Sequence, residues 1–317
     1  MSTILKPFRF YKDASLRITH DGKRIITTSN GSAKLIDLES NNVIYRVGKN
    51  KSCIIYNISP ADKTYATMSG EEELVIKSVE TLQTVAELKL KGGSYMNDVF
   101  YVSENTVCIS GYLQGSFDNT SAELWNFETG ERKELFKLDM KHGRIEMTSY
   151  SDGKYCIFAT DFTGRKETVF TEKIEAGTLF GFNSNRLAGS FQSYDIRNNK
   201  VLLFLKKRKE QRTLAFYDIN NAELTEIIDS PKDGIFNEWA CWIDDNTVIY
   251  RTKKQCAGAD FRTPQGCFAV VDINTLKETY YAERLPDRFK LNLSYDEKYV
   301  FCDSATIGTF VYEVIKE

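Results

Sequence analysis

The 317-residue chain is 42% hydrophobic and 27% charged, with a formal net charge of −2 and a pI near 5.9. That balance supports a packed core and excludes a chain kept unfolded by its own charge. It gives no global pull toward nucleic acid or anionic membrane, and the apolar runs, such as residues 201–205, are far shorter than the ~20 residues of a spanning helix.

The first eleven residues lack a continuous apolar stretch and carry Lys6, Pro7 and Arg9, so no secretory leader is expected. The seven cysteines are odd in number, and no two stand as Cys-x-x-Cys. Cys53, Cys108, Cys156 and Cys302 interrupt apolar strand patterns, as small buried hydrophobes of a reducing compartment do. The expected location is cytoplasmic.

Along the chain, tight-turn signals recur at Asp21-Gly22, Ala61-Asp62, Glu104-Asn105, Asp152-Gly153, Asn198-Asn199, Asp244-Asp245 and Asp296-Glu297. Their spacing of roughly 40 to 50 residues is the period of propeller blades. A half-polar stretch precedes each turn and an apolar, β-branched or aromatic stretch follows it: 24–29, 64–69, 106–110, 155–160, 201–205, 247–251 and 299–303. Turn chemistry between two such runs predicts a hairpin. Third strands are predicted over 33–38, 74–79, 123–127, 168–174, 214–219, 268–273 and 309–314. Fourth strands follow over 43–47, 85–90, 134–138, 179–182, 224–228 and 278–281. The seventh unit has no fourth strand of its own, and residues 7–11 are expected to supply it, which would leave no open ring end.

Several third strands end alike: Asp37-Leu38-Glu39, Trp125-Asn126-Phe127, Tyr217-Asp218-Ile219 and Val271-Asp272-Ile273. An aromatic or apolar residue followed by Asp or Asn stands where a WD repeat carries its Trp-Asp pair. The chain resembles the WD-repeat-like (WD40/YVTN-type) family across all seven units. No unit has a true Trp-Asp, and no Gly-His opens a repeat. With only His20 and His142 in the chain, the family's buried Asp-His-Ser/Thr-Trp network is missing and apolar packing must hold the blades. The expected fold is therefore all-β: one seven-bladed β-propeller over residues 1–317, four antiparallel strands to a blade, closed by the N-terminal strand completing the last blade. Six or eight blades are the alternative counts, and residues 144–183 form the least regular unit.

Antiparallel connectivity puts the connections between blades and between second and third strands on one face. Long connections at 111–121, 206–212 and 253–266 make that face the expected binding face. Lys206, Lys207, Arg208 and Arg212 form a basic cluster there, and Phe261 with Arg262 stands on the longest loop. They are the expected contacts for a protein or peptide partner. The competing reading is a solvated hairpin tip. Six residues before each turn stand Ser15, Ile55, Asp98, Glu146, Gln192, Glu238 and Lys290, a mostly polar column at the expected mouth of the central channel. Asp98, Glu146 and Glu238 there could hold Ca²⁺ or a cationic side chain, or stand merely solvated.

No linear catalytic motif or zinc spacing occurs. The leading expectation is an intracellular protein-interaction scaffold with no resident cofactor, binding neither nucleic acid nor membrane. The resemblance favours that reading, although fold alone does not assign function. The alternative is a small-molecule-binding or metal-dependent lyase or hydrolase at the channel mouth, with His142, Arg144, Glu146 and Glu238 as acid–base groups.

Overall fold

The computed structural model describes residues 3–12, 15–29, 31–50, 54–69, 72–115, 119–139, 143–149, 155–161, 166–171, 178–183, 191–206, 212–218, 220–221, 223–229, 240–252, 266–285, 290–304 and 308–316. The chain enters with β1 (Thr3–Lys12). Four strands in sequence then make the first sheet: β2 (Ser15–Ile18), β3 (Arg24–Ser29), β4 (Gly31–Asp37) and β5 (Val43–Asn50). The pattern repeats in β6 (Ile54–Ile58), β7 (Thr64–Met68), β8 (Glu73–Ser78) and β9 (Thr84–Lys89), and again in β10 (Tyr95–Ser103), β11 (Thr106–Tyr112), β12 (Asn119–Asn126) and β13 (Arg132–Asp139). The next sheet is β14 (Gly143–Ser149), β15 (Tyr155–Asp161), β16 (Lys166–Thr171) and β17 (Thr178–Asn183). Then come β18 (Phe191–Arg197), β19 (Lys200–Lys206), β20 (Arg212–Asp218) and β21 (Glu223–Asp229), followed by β22 (Ala240–Trp242), β23 (Thr247–Thr252), β24 (Gly266–Asp272) and β25 (Glu278–Leu285). The last sheet is β26 (Lys290–Leu293), β27 (Tyr299–Ser304) and β28 (Gly308–Lys316), with β1 as its outer strand.

Two compact units emerge. One is Asp13–Phe182; the other is Met1–Lys12 with Asn183–Glu317. Within each, sheets pack face to face through side chains that alternate along the strand. In β7, Tyr65 joins the core shared with the preceding sheet, beside Ile26, Leu35 and Ile55, while its neighbour Ala66 joins the core shared with the following sheet, beside Val99, Ile109 and Trp125. In the second unit, Val248 and Tyr250 of β23 pack with Phe204 and Trp242, while Ile249 between them packs with Leu291, Val300 and Tyr312. A strand buried on both faces reads as an unbroken apolar run, which is why 248–250 is Val-Ile-Tyr and 201–204 is Val-Leu-Leu-Phe.

The packing corrects the expected seven-bladed ring. Described side chains join six blades: three in the first unit, from β2–β5 to β10–β13, and three in the second, from β18–β21 to β26–β28. The hydrogen-bonded strand order also includes the four-stranded sheet β14–β17, which lies between these two groups in sequence. Closure of a ring by the N-terminal strand is likewise not shown. Residues Thr3 to Lys12 pair with Lys316 to Gly308, which completes one sheet.

The outer strands are kinked. Ile44, Lys49, Val85, Leu135, Ile227 and Phe8 each fall where the pairing register slips, and such bulges increase the twist of an edge locally. No helix among the described residues is long and apolar enough to cross a membrane.

Turn chemistry repeats from sheet to sheet. At the first hairpins, the hydroxyls of Thr19, Ser59 and Ser294 accept backbone N–H bonds from Arg24, Thr64 and Tyr299 at 2.9–3.1 Å. At the hairpins between third and fourth strands, the side chain at the Trp-Asp position caps its own turn. Asp37 Oδ1 accepts from the Ser40 N–H, Asn126 Oδ1 from Glu128 and Thr129, Asp218 Oδ1 from Asn220, and Asp272 Oδ1 from Asn274 and Thr275. These are Asx turns.

Between sheets, a carboxylate on one turn holds the turn before it. Asp62 accepts from the His20 and Asp21 N–H groups (2.7 and 3.0 Å) and contacts the His20 ring at 2.7 Å. Glu104 accepts from the Ser59 hydroxyl (2.7 Å) and the Ala61 N–H (2.9 Å). Asp245 takes Arg197 and Asn198, both at 2.7 Å, and Arg197 also reaches Glu297 at 2.6 Å. Burial alone would raise the Asp62 carboxyl, but the His20 ring and the two N–H donors outweigh it and hold it below its ordinary value. Its folded-state pKa is therefore the lower one, so its stabilisation is complete above the unfolded value of ~4 and is lost as pH falls through the folded value. Asp62→Asn is expected to destabilise the fold by about 1–3 kcal/mol at pH 7 and to flatten the loss of stability below ~pH 4. Chemical denaturation of both proteins at several pH values checks this; an unchanged pH profile would contradict the assigned role.

Candidate functional site

The inner strands β2, β6 and β10 bring a polar row together in the first unit. Arg17 reaches across from β2 to β6, its Nε donating to the Tyr56 carbonyl at 3.2 Å and its Nη1 to the Leu16 carbonyl at 2.7 Å. The Tyr56 hydroxyl donates to the Met68 sulfur at 3.3 Å. Burial pushes the Tyr56 phenol well up, and the nearby Asp98 carboxylate and Tyr95 push it further. Asp98 is half-buried and accepts the Val99 N–H at 2.9 Å. The buried Cys108 thiol is raised by burial first and by Asp98 second, so it is no nucleophile. In the second unit Asp195, opposite Leu202, takes the step that Arg17 takes opposite Ile26, and accepts the Trp242 N–H at 2.8 Å.

Bulges scatter the column expected from counting. Ile55 lies opposite Thr67, the fourth residue of β7, in step with Leu16 opposite Thr27 and Val99 opposite Ile109. Glu146, opposite Phe158, takes that same step in β14. Ser15, Asp98, Gln192 and Lys290 sit one step further, opposite Thr28, Ser110, Phe204 and Asp303. Glu146 therefore leaves the row of Asp98, although β14 pairs with β15 without a bulge.

Of the other predicted residues, Arg144 lies in β14, Lys206 ends β19 and Arg212 opens β20, paired with each other across the hairpin. His142, Lys207, Arg208, Glu238, Phe261 and Arg262 lie outside the described residues, as does Cys256. Among the described residues, no three His, Cys, Asp or Glu gather to hold a metal. Cys108, Cys241 and Cys302 are buried.

Counting from the turns missed Arg17, Tyr56 and Asp195. The signal available was a charged or aromatic residue interrupting an inner-strand apolar pattern, but bulges between Ile55 and Asn57 and between Ser193 and Asp195 shift its phase.

Beside the polar row, two connections cross. Gly93 donates its N–H to Glu72 Oε1 at 2.6 Å, and Gly115 donates its own to the Ser94 hydroxyl at 3.0 Å. A Cβ on Gly115 would stand 2.6 Å from the Gly92 carbonyl oxygen, and Gly115 has φ +74°. Gln114 extends the fastening by taking Lys137 Nζ at 2.6 Å and donating to Glu134 at 3.2 Å. The base of the connection between β11 and β12 is thus fixed on the connection between β9 and β10.

No protein-family model and no curated protein matches the chain. Among solved structures it is similar to the β-propeller domain of Cps50 (Swd1) from Myceliophteria thermophila, at 9% identity and a TM-score of 0.65, over 99% of this chain and 98% of that one. A likeness at that identity carries the fold alone: an all-β propeller of four-stranded blades.

Gly115→Ala meets both a left-handed backbone and a backbone oxygen that cannot swing away. It is expected to cost about 1–3 kcal/mol and to raise hydrogen exchange at residues 91–94. Exchange and thermal melts of the variant check this; wild-type protection at 91–94 would contradict the crossing.

Proposed function

We propose that the chain is a protein-interaction scaffold that takes its partner on the face carrying the inter-blade connections and the connections between second and third strands. The observation behind this reading is the difference between the two ends of the blades. At the turn end, Thr19, Ser59, Asp37, Asn126, Asp62, Glu104 and Asp245 are occupied in holding turns, which leaves that end short and self-satisfied. At the other end the second-to-third connections range from a single residue between Ser29 and Gly31 to residues 253–265 between β23 and β24. Variable connections on a rigid frame are where recognition concentrates.

The basic segment around Lys206, Lys207, Arg208 and Arg212 supplies the charge for an acidic or phosphorylated stretch of the partner. Phe261 and Arg262 supply anchors of the kind that dominate interface energetics. The buried cysteines Cys108, Cys241 and Cys302 suit a reducing, intracellular setting.

The test is affinity capture with mass-spectrometric readout, comparing wild type, a Lys207→Glu/Arg208→Glu variant, and a turn-face control, Lys23→Glu. The expected result is a partner retained by wild type and control and weakened at least tenfold by the loop variant. Equal retention by the loop variant, or loss in the control alone, would overturn the assigned face.

A further inference from the structure

Edges of sheets are where a protein exposes unpaired backbone groups, and the outer strands here are not equivalent. β1 carries Pro7 and a bulge at Phe8 near its middle, both of which discourage pairing. The strands β9, β13, β21 and β25 each carry at least one acidic residue, and β21 carries three: Glu223, Glu226 and Asp229. β5 and β17 have neither a proline nor an acidic residue, and of these two only β5 carries basic residues, Arg46 and Lys49. The sequence of β5 is Val43-Ile44-Tyr45-Arg46-Val47-Gly48-Lys49-Asn50. The chain has no Asp or Glu anywhere between Glu39 and Asp62.

The exposure of β5 is as unusual as its charge. Val43, Ile44 and Tyr45 are consecutive and 52%, 53% and 41% exposed. The bulge at Ile44 lies at the turn end, between the Ile36–Val43 and Leu35–Tyr45 pairs. Beyond it, Tyr45, Arg46, Val47 and Gly48 lie in regular register opposite Leu35, Lys34, Ala33 and Ser32. The strand's inner side is therefore fixed by β4, and Val47 packs on the core with Leu35 and Ile55. Arg46 lies exposed beside the half-buried Lys34. The neighbouring carboxylate, Asp37, is engaged by the Ser40 N–H and hydroxyl, both at 2.7 Å.

We infer that β5 is a second docking edge, distinct from the loop face, which accepts an extended acidic segment of a partner protein as an added strand. Main-chain bonds to residues 45–48 supply the pairing, as in other strand-addition complexes. Apolar side chains of the segment cover Val43, Ile44 and Tyr45. Carboxylates set two residues apart stand on one face of the added strand and meet Arg46 and Lys34. The charge excludes a basic segment, since like charges directly opposite in a sheet repel.

The probe is a fluorescein-labelled (Glu-Val)₄ peptide, with (Lys-Val)₄ and phosphatidylserine vesicles as comparisons, titrated against the full chain. The proposal expects saturable binding of the acidic peptide, at least tenfold weaker binding to Arg46→Glu, no binding of the basic peptide, and slowed hydrogen exchange confined to residues 44–48. The titrations are made in the Lys207→Glu/Arg208→Glu background, which removes the basic loop's own attraction for an acidic peptide, so failure here is distinguishable from failure of the loop-face reading. The proposal is overturned by no peptide binding, by binding without protection of 44–48, or by Arg46→Glu binding unchanged. Vesicle binding abolished by Arg46→Glu, with no peptide bound, would assign the edge to a membrane surface instead and equally overturn it.

Discussion

Everything in this fold depends on strands that bury both faces. A β-sheet with one wet face needs only alternate apolar residues, but a sheet stacked between two others must be apolar on successive positions. Tyr65 and Ala66 go to opposite cores, as do Val248 and Ile249, and Phe268 and Ala269. Fully burying a side chain such as Phe, Leu or Val contributes roughly 1.5–3 kcal/mol, and the inner strands repeat that contribution at almost every step. No buried His-centred network is required. The aromatic residues Trp242, Tyr65, Tyr250, Phe204 and Phe268 are among the largest fully buried side chains, and they fill the space between sheets.

Because packing is supplied by the strand interiors, polar side chains are released for the turns. The carboxylates of Asp62, Glu104 and Asp245 each hold the preceding turn of a neighbouring sheet, so inter-sheet order is fixed at the turn end as well as in the core. Hydrogen bonds to charged groups are the stronger ones. The end so fastened is short, and the opposite end alone is left to vary. The proposed partner contacts accordingly lie on the connections, with the outer strand β5 as a separate proposed edge.

Much of this architecture is legible in the sequence, and the failures have identifiable causes. The turn signals at Asp21-Gly22 and Asp296-Glu297 and the apolar runs after them mark the hairpins directly. The Trp-Asp-like positions also stand where expected, although Asp37, Asn126, Asp218 and Asp272 serve as local turn caps rather than as members of a buried network. Bulges are the part that counting cannot see. One extra residue at Tyr56 shifts every position beyond it, and β14 takes its own step without a bulge, so a column drawn from the turns mixes two faces: Ile55 and Glu146 fall out of step with Ser15 and Asp98. The number of packed blades and the closure of a ring are long-range properties, and a repeat count constrains them only loosely. The exposed edge at Val43, Ile44 and Tyr45 reads in sequence as an ordinary outer strand, because exposure depends on what covers the strand and not on its residues.

Native-state hydrogen exchange followed residue by residue tests the central claim most directly. If stability resides in strands buried on both faces, amides of β7, β11, β19 and β23 exchange only through global unfolding, while outer strands β5 and β9 exchange through smaller openings. Equal protection of inner and outer strands, or slower exchange in the outer ones, would contradict the account.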